Sequence, residues 1–264
     1  MKIKALITGA EGQLAKTIYE IYSQNSDEIE FTFANKEDLD ITNKNQVALY
    51  FNSHHFDYCI NCAAYTNVEQ SEKTPKIAYE TNSEAVKTIA EYCKNQNIIL
   101  IHISTDYVFD GQKNSPYTIS DLPKPINVYG KSKLIGEEYI QNIMTDFFIV
   151  RTSWLYSKNY GYNFYKTILR KAKTNEIIKV VDNQVSCPTD CKDLSNYIYR
   201  IIKSKSKTFG LLHFSGKNQM SWYGFAKQIL KENKLLNDTN IIVDNSYVTL
   251  AKRPKYSALQ ITKL

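Results

Sequence analysis

Lys4-Ala5-Leu6-Ile7-Thr8-Gly9-Ala10-Glu11-Gly12-Gln13-Leu14-Ala15 is the stretch on which the fold turns. Residues 4–8 are a short apolar run of strand length. A glycine turn follows, and then Leu14, Ile18 and Ile21 recur at helical spacing. Strand, glycine turn and helix together aim backbone N–H groups and a helix N-terminus at one point, where a pyrophosphate can be held. The spacing is G-x-x-G-x-x-A, with Ala15 at the close-packing position that usually carries a third glycine. A plain turn between strand and helix would read the same, so the remaining chain has to decide.

Working outward, residues 30–34, 57–61, 98–104 and 147–152 read as further strands. Helical patterns lie between them. One covers 43–51. Another opens at Thr74-Pro75, with Pro in a first turn and Ala78, Thr81, Ala85, Ile89 and Tyr92 on one face. Strands alternating with helices predict an α/β fold, a doubly wound (Rossmann-type) parallel sheet. Residues 110–125 read as loop.

Past Ser153 the pieces shorten: a loop at 156–162, helices at 163–173, 190–203 and 221–232, strands at 177–181 and 210–214, and a loop at 185–189. They predict a smaller C-terminal substrate-binding lobe over the carboxyl edge of the sheet. No Pro/Gly/Ser linker separates the two parts, so they should pack closely around a cleft. The expected division is a Rossmann domain at 1–152 that binds NAD(P), and 153–264 mainly the lobe, with some segments returning to the first domain.

Composition narrows the classes. With 264 residues, 43% hydrophobic and 23% charged, the chain matches ordinary soluble proteins. Its net charge of +6 is dispersed, without the Lys/Arg block of a nucleic-acid arm. No apolar run reaches the length of a membrane span, and the basic, apolar start meets Glu11 too early for a secretory leader. Five cysteines, an odd number, suit free thiols in a reducing compartment, so the expected location is cytoplasmic. Cys59-Ile60-Asn61-Cys62 and the Cys187/Cys191 pair suggest zinc, but the first pair falls on a buried strand, and no metal is expected.

Three further stretches carry chemistry. The second strand ends in Asn35-Lys36, with no carboxylate at those two positions to repel a 2′-phosphate; Lys36 could attract one. The expected cofactor is therefore NADPH, with NADH the alternative. Asp40 either meets the adenine, beside Ile41, or caps the helix that follows. Ser104-Thr105-Asp106-Tyr107 lies at the carboxyl end of a strand, where open α/β sheets bind ligands. Thr105 is either a hydrogen-bond partner for a substrate oxygen or part of a loop-capping cluster. Tyr129-Gly130-Lys131-Ser132-Lys133 puts a phenol and an ammonium one helical turn apart. An ammonium beside a phenol is expected to lower its pKa from ~10 and fit it to protonate a developing alkoxide.

A glycine turn, a strand-terminal Thr and a Tyr-x-x-x-Lys in this order resemble the extended short-chain dehydrogenase/reductase superfamily. The blocks at 61–69, 104–111 and 127–137 look like the dTDP-4-dehydrorhamnose reductase family, as do Arg151-Thr152-Ser153-Trp154, Asn163-Phe164, Val181-Asp182-Asn183-Gln184 with Pro188-Thr189, Ser221-Trp222-Tyr223 and Arg253-Pro254 with Ser257. The resemblance runs from Ile7 to Leu264. It implies NAD(P)H-dependent reduction of the 4-keto group of dTDP-4-dehydro-L-rhamnose, a step toward cell-surface polysaccharide, with a nucleotide sugar as the only class of partner besides the cofactor.

Residue by residue, the resemblance implies that Tyr129 is the general acid, Lys133 binds the nicotinamide ribose and lowers the phenol pKa, and Thr105 holds the keto oxygen. It places Gly9, Gly12, Gln13 and Leu14 on the pyrophosphate, Asp40 and Ile41 at the adenine, and Ala63, Ala64 and Tyr65 beneath the cofactor. Ser104, Asp106 and Tyr107 fall with Thr105 on the substrate. Trp154 and Trp222 match aromatics of the substrate lobe, or pack as ordinary core, and Arg253 pairs with nucleotide phosphate by bidentate geometry. Lys16 and Thr17 stand where some members carry an acid linked to a metal-bridged dimer, so no metal is implied and a homodimer stays open. The chain ends at Leu264, where many relatives continue with another helix. Two readings compete: reduction of a different nucleotide-linked 6-deoxy ketosugar, and a non-catalytic NADP-binding regulatory subunit.

Overall fold

A computed structural model describes residues 2–23, 28–174 and 176–263; Leu264, where the resemblance ends, lies outside them. Six apolar runs form one parallel sheet: β1 (Ile3–Thr8), β2 (Ile29–Ala34), β3 (Tyr58–Asn61), β4 (Ile99–Thr105), β5 (Phe147–Thr152) and β6 (Gly210–His213), in the order β6-β5-β4-β3-β1-β2. Ala5, Leu6 and Ile7 are fully buried, as expected of a strand covered on both faces. β1 pairs in parallel with both β2 and β3, so the winding reverses at β1. The crevice at such a switch point is where ligands bind, and here it takes in the Gly9–Gly12 turn and the loop after β3.

Helices α1 (Gln13–Tyr22), α2 (Lys44–Ser53), α3 (Ala85–Asn95), α4 (Val128–Ile143), α5 (Phe164–Ala172), α6 (Cys191–Lys203) and α7 (Trp222–Glu232) follow the expected spacing. Leu14, Ala15 and Ile18 of α1 share a core with Leu194, Ile198 and Ile201 of α6 on one face of the sheet. On the other face, Val47 of α2, Ile89 and Cys93 of α3 and Ile140 of α4 close a second core. The helix opened at Pro75 is interrupted by a π-helical turn, Glu80–Glu84, before continuing as α3. That turn buries Asn82. Such bulges are frequent at functional sites.

The smaller lobe has its own core, in which Tyr165 and Ile168 of α5 and Phe225 and Ile229 of α7 cover the parallel pair Ile178–Val180 and Ile241–Val243. The run 210–214 is one of the segments that return to the first domain: β6 joins β5 in the main sheet, and α6 packs on α1. One reading of the later chain is corrected. The stretch 185–189 is not simply loop. Val185–Ser186 pairs with Met220–Ser221, and Thr189–Asp190 with Leu155–Tyr156. Two-residue strands leave no periodicity to read.

Candidate active site

The switch-point crevice deepens into a cleft of about 320 Å³, lined by Gly12, Gln13, Leu14, Ala64, Thr105, Tyr129, Lys133 and Trp154 among others. Thr105 ends β4 and caps the short 3-10 turn Asp106–Val108, accepting from Tyr107 N–H at 3.1 Å and donating to Asp106 Oδ1 at 3.2 Å. Capping and cleft lining are therefore both true of it. Tyr129 stands at the start of α4, whose cap is Asn127, accepting from Gly130 N–H at 2.7 Å. Gly130 lets the helix press onto the turn after β4. A Cβ there would lie 2.1 Å from the Tyr107 carbonyl oxygen. This close approach carries the phenol to Thr105 and sets it edge-on to the Tyr107 ring, 6.0 Å between centroids.

Electrostatics correct one expectation. The phenol of Tyr129 is held above its ordinary value: burial raises it, a hydrogen bond with Thr105 pulls the other way, and Asp106 and Tyr107 add to the rise. Lys133 is not among the groups that shift the phenol. The side chain is 1% exposed, donates to the Ile103 carbonyl at 2.7 Å and faces His102 Nε2 at 3.1 Å. Burial lowers the Lys133 pKa to about 8, opposed by Glu137 and Cys62.

The glycine turn fits a pyrophosphate. Gly9 has φ 67, and a Cβ on it would meet Ala63 N and Cα at 2.8 Å, so the turn and the loop after β3 touch backbone to backbone. Gly12 starts α1 without a side-chain cap, which leaves its first turn open toward the cleft. At the end of β2, Lys36 is 82% exposed in its side chain and 3.7 Å from Asp40. Asp40 does not cap α2. It accepts from Thr42 N–H and Oγ1, while Asn43 is the cap. Burial pushes the Asp40 carboxyl up, but Thr42 and Lys36 outweigh it and hold it below the usual range. Ile41 is 5% exposed, in the core beneath this turn.

The sequence profile described as RmlD substrate binding domain matches residues 1–264. A dTDP-4-dehydrorhamnose reductase of Aggregatibacter actinomycetemcomitans is 39% identical over 271 residues, covering 99% of this chain and 92% of the relative. The chain belongs to the dTDP-4-dehydrorhamnose reductase family. A crystal structure of a family member from Bacillus anthracis in complex with NADP superposes with a TM-score of 0.94 at 38% identity, over 99% of this chain and 92% of that one. A dTDP-4-keto-6-deoxy-D-glucose reductase of Streptomyces niveus is 32% identical, over 86% of this chain and 77% of the relative.

Within this member of the reductase family, several of the expected substrate residues also make internal contacts, and of these Ser104 and Asp106 line the cleft. Ser104 donates to Glu137 Oε1 at 2.5 Å, and Glu137 holds Arg151 through Nη2 at 2.6 Å and Nε at 3.0 Å. Asp106 is 2% exposed, and its Oδ2 accepts from Ser257 at 2.5 Å and Ser186 at 3.2 Å, which ties the end of β4 to the lobe. Burial raises its carboxyl to about 7, against the hydrogen bonds from Ser257, Thr105 and Ser186. Trp222 stacks on Trp154, with centroids 3.5 Å apart, and donates Nε1–H to Gln184 at 3.2 Å; Trp154 lines the cleft and Trp222 backs it. Arg253 pairs with Glu69 at 3.0 Å and neighbours Tyr107, just outside the cleft lining.

Sequence reasoning missed the residues that hold this site in place. Asn82 accepts from Tyr65 N–H at 2.8 Å, donates to Tyr65 O at 3.0 Å and to Ser132 Oγ at 3.0 Å, clamping the loop after β3 to α4. Asn61, His102, Glu137 and Arg151 are all buried. A polar residue inside an apolar run, as in Ile101-His102-Ile103, was the available signal, because such groups need partners.

Proposed function

We propose that the chain is an NADPH-dependent reductase of the 4-keto group of dTDP-4-dehydro-L-rhamnose, yielding dTDP-L-rhamnose. The observation that carries this is the convergence of Thr105, Tyr129 and Lys133 on one cleft with the open turn at Gly12–Leu14. NADPH, when bound, supplies the hydride that reduces the carbonyl carbon. Thr105 and Tyr129 hold the oxygen as negative charge grows on it, and Tyr129 gives up its proton. A phenol held above its ordinary pKa stays protonated at neutral pH, the form a donor needs. Lys133 binds the nicotinamide ribose and supplies positive charge beneath the site. Gly9, Gly12, Gln13 and Leu14 receive the pyrophosphate, Ala63, Ala64 and Tyr65 underlie the cofactor, and Lys36 draws a 2′-phosphate.

Trp154 forms the lobe wall against the sugar nucleotide. Arg253 exchanges Glu69 for a substrate phosphate, since guanidinium pairs with either oxyanion. The free cysteines Cys59, Cys62, Cys93, Cys187 and Cys191 support a cytoplasmic location; a homodimer is compatible with this reading. The test is NADPH oxidation by the purified chain with dTDP-4-dehydro-L-rhamnose, then with a panel of 4-keto nucleotide sugars. The Streptomyces niveus relative's activity makes faster turnover of another 6-deoxy ketosugar the rival outcome. Tight NADPH binding with no oxidation for any sugar would instead make the chain a regulatory subunit.

A further inference from the structure

Four polar side chains run in a line beneath the cleft floor. Thr8 Oγ1, at the end of β1, lies 2.7 Å from Asn61 Oδ1. The Asn61 amide nitrogen, at the end of β3, is 3.1 Å from His102 Nδ1. His102, in mid-β4, sets Nε2 3.1 Å from Lys133 Nζ. Thr8 and His102 are 0% exposed, Asn61 and Lys133 1%. The line is therefore closed at Thr8. It can hold a proton arrangement but does not conduct protons to solvent.

Donor and acceptor rules make the line a reporter of charge. An ammonium has donors only. With Lys133 charged, His102 Nε2 must accept, the ring proton sits on Nδ1, and Asn61 must offer its oxygen to that proton. The orientation Asn61 takes, nitrogen toward His102 and oxygen toward Thr8, fits the opposite state, in which Nε2–H donates to a neutral amine; exchanging the amide oxygen and nitrogen gives the charged-state arrangement. Amide oxygen and nitrogen are told apart only by such bonds. The ammonium thus has one matching arrangement of His102 and Asn61, whereas a neutral amine, with two N–H and a lone pair, also admits the other.

We propose that His102 is the positioning residue for Lys133, holding it as an ammonium with one N–H left for the cleft, and that the His102 tautomer follows the lysine's charge. The kinetic part rests on the reductase reading of the cleft; the tautomer part does not. Charged or titratable groups facing Lys133 are His102 on β4, Glu137 and Tyr129 one turn either side on α4, and Cys62 after β3, with Arg151 of β5 neutralising Glu137. Burial and then Lys133 keep His102 well below its ordinary pKa, so the ring is neutral and free to accept.

The test has two arms. Imidazole 15N shifts of the full chain, which has four histidines, should show His102 as the Nδ1–H tautomer at neutral pH, changing to Nε2–H as the pH passes about 8. Nε2–H at neutral pH, or no change on titration, overturns the proposal. In NADPH oxidation assays, His102→Met should move the alkaline limb of kcat down by about one pH unit. His102→Gln, whose amide oxygen can accept in place of Nε2, should restore most of that shift. An unmoved limb in the Met variant also overturns the proposal. Should the Met variant fail to fold, the tautomer measurement decides. A chain that reduces no ketosugar refutes the reductase reading alone, since the tautomer arm needs no turnover.

Discussion

The two walls of the cleft are built differently. On the sheet side, Thr105, Tyr129 and Lys133 stand on a buried polar scaffold in which Glu137 is 0% and Arg151 2% exposed. On the lobe side, the support is a Trp154–Trp222 stack, and outside the lining an Arg253–Glu69 pair, with side chains 25% and 36% exposed, joins the lobe to the segment after β3. A buried charge must keep its partner, whereas an exposed pair can trade partners at little cost. The sheet wall is thus suited to holding reacting atoms still, and the lobe wall to exchanging contacts as a substrate arrives.

The contrast can be broken at several points. Tyr129→Phe should lower turnover by about 10²–10⁴-fold while leaving the melting temperature and NADPH binding near wild type; near-normal turnover would sink the proton-donor role. Glu137→Gln leaves Arg151 charged and buried, and should cost roughly 3–5 kcal/mol in urea unfolding. A loss no larger than that of an exposed site would mean the sheet wall does not depend on the pair. Arg253→Ala should raise KM for the nucleotide sugar about 10–100-fold with kcat little changed. A drop in kcat with KM unmoved would transfer Arg253 from binding to stability. Lys36→Ala should weaken the preference for NADPH over NADH only roughly two- to fivefold, because the side chain is mostly in water; an unchanged ratio would show that it takes no part in cofactor choice.

Much of the sheet wall was legible before folding. The strand–turn–helix at Gly9–Leu14, Thr105 at a strand end and the Tyr129/Lys133 spacing all meet in the cleft. What lay beyond reading was how these groups are held and charged. The expected lowering of the phenol is overridden by burial, and Lys133 bonds to Ile103 and His102, a partnership no helix spacing encodes. Ser104 and Asp106 line the cleft, and their oxygens also bond to Glu137, Ser186 and Ser257, partners no local pattern encodes. Which later segments return to the main sheet stayed open, because a short apolar run has the same period in either sheet.

From the residue string alone come the alternation of strands and helices, the turn that opens α1 and the residue types of the cleft, because burial on a strand or helix face leaves a local period. Folding settles the rest: the pairing of β6 with β5, Arg253 with Glu69, Asn82 with Tyr65 and Asp106 with Ser257. Those partners are 17 to 184 positions apart in sequence, and a hydrogen bond across such a distance leaves no mark on the residues between.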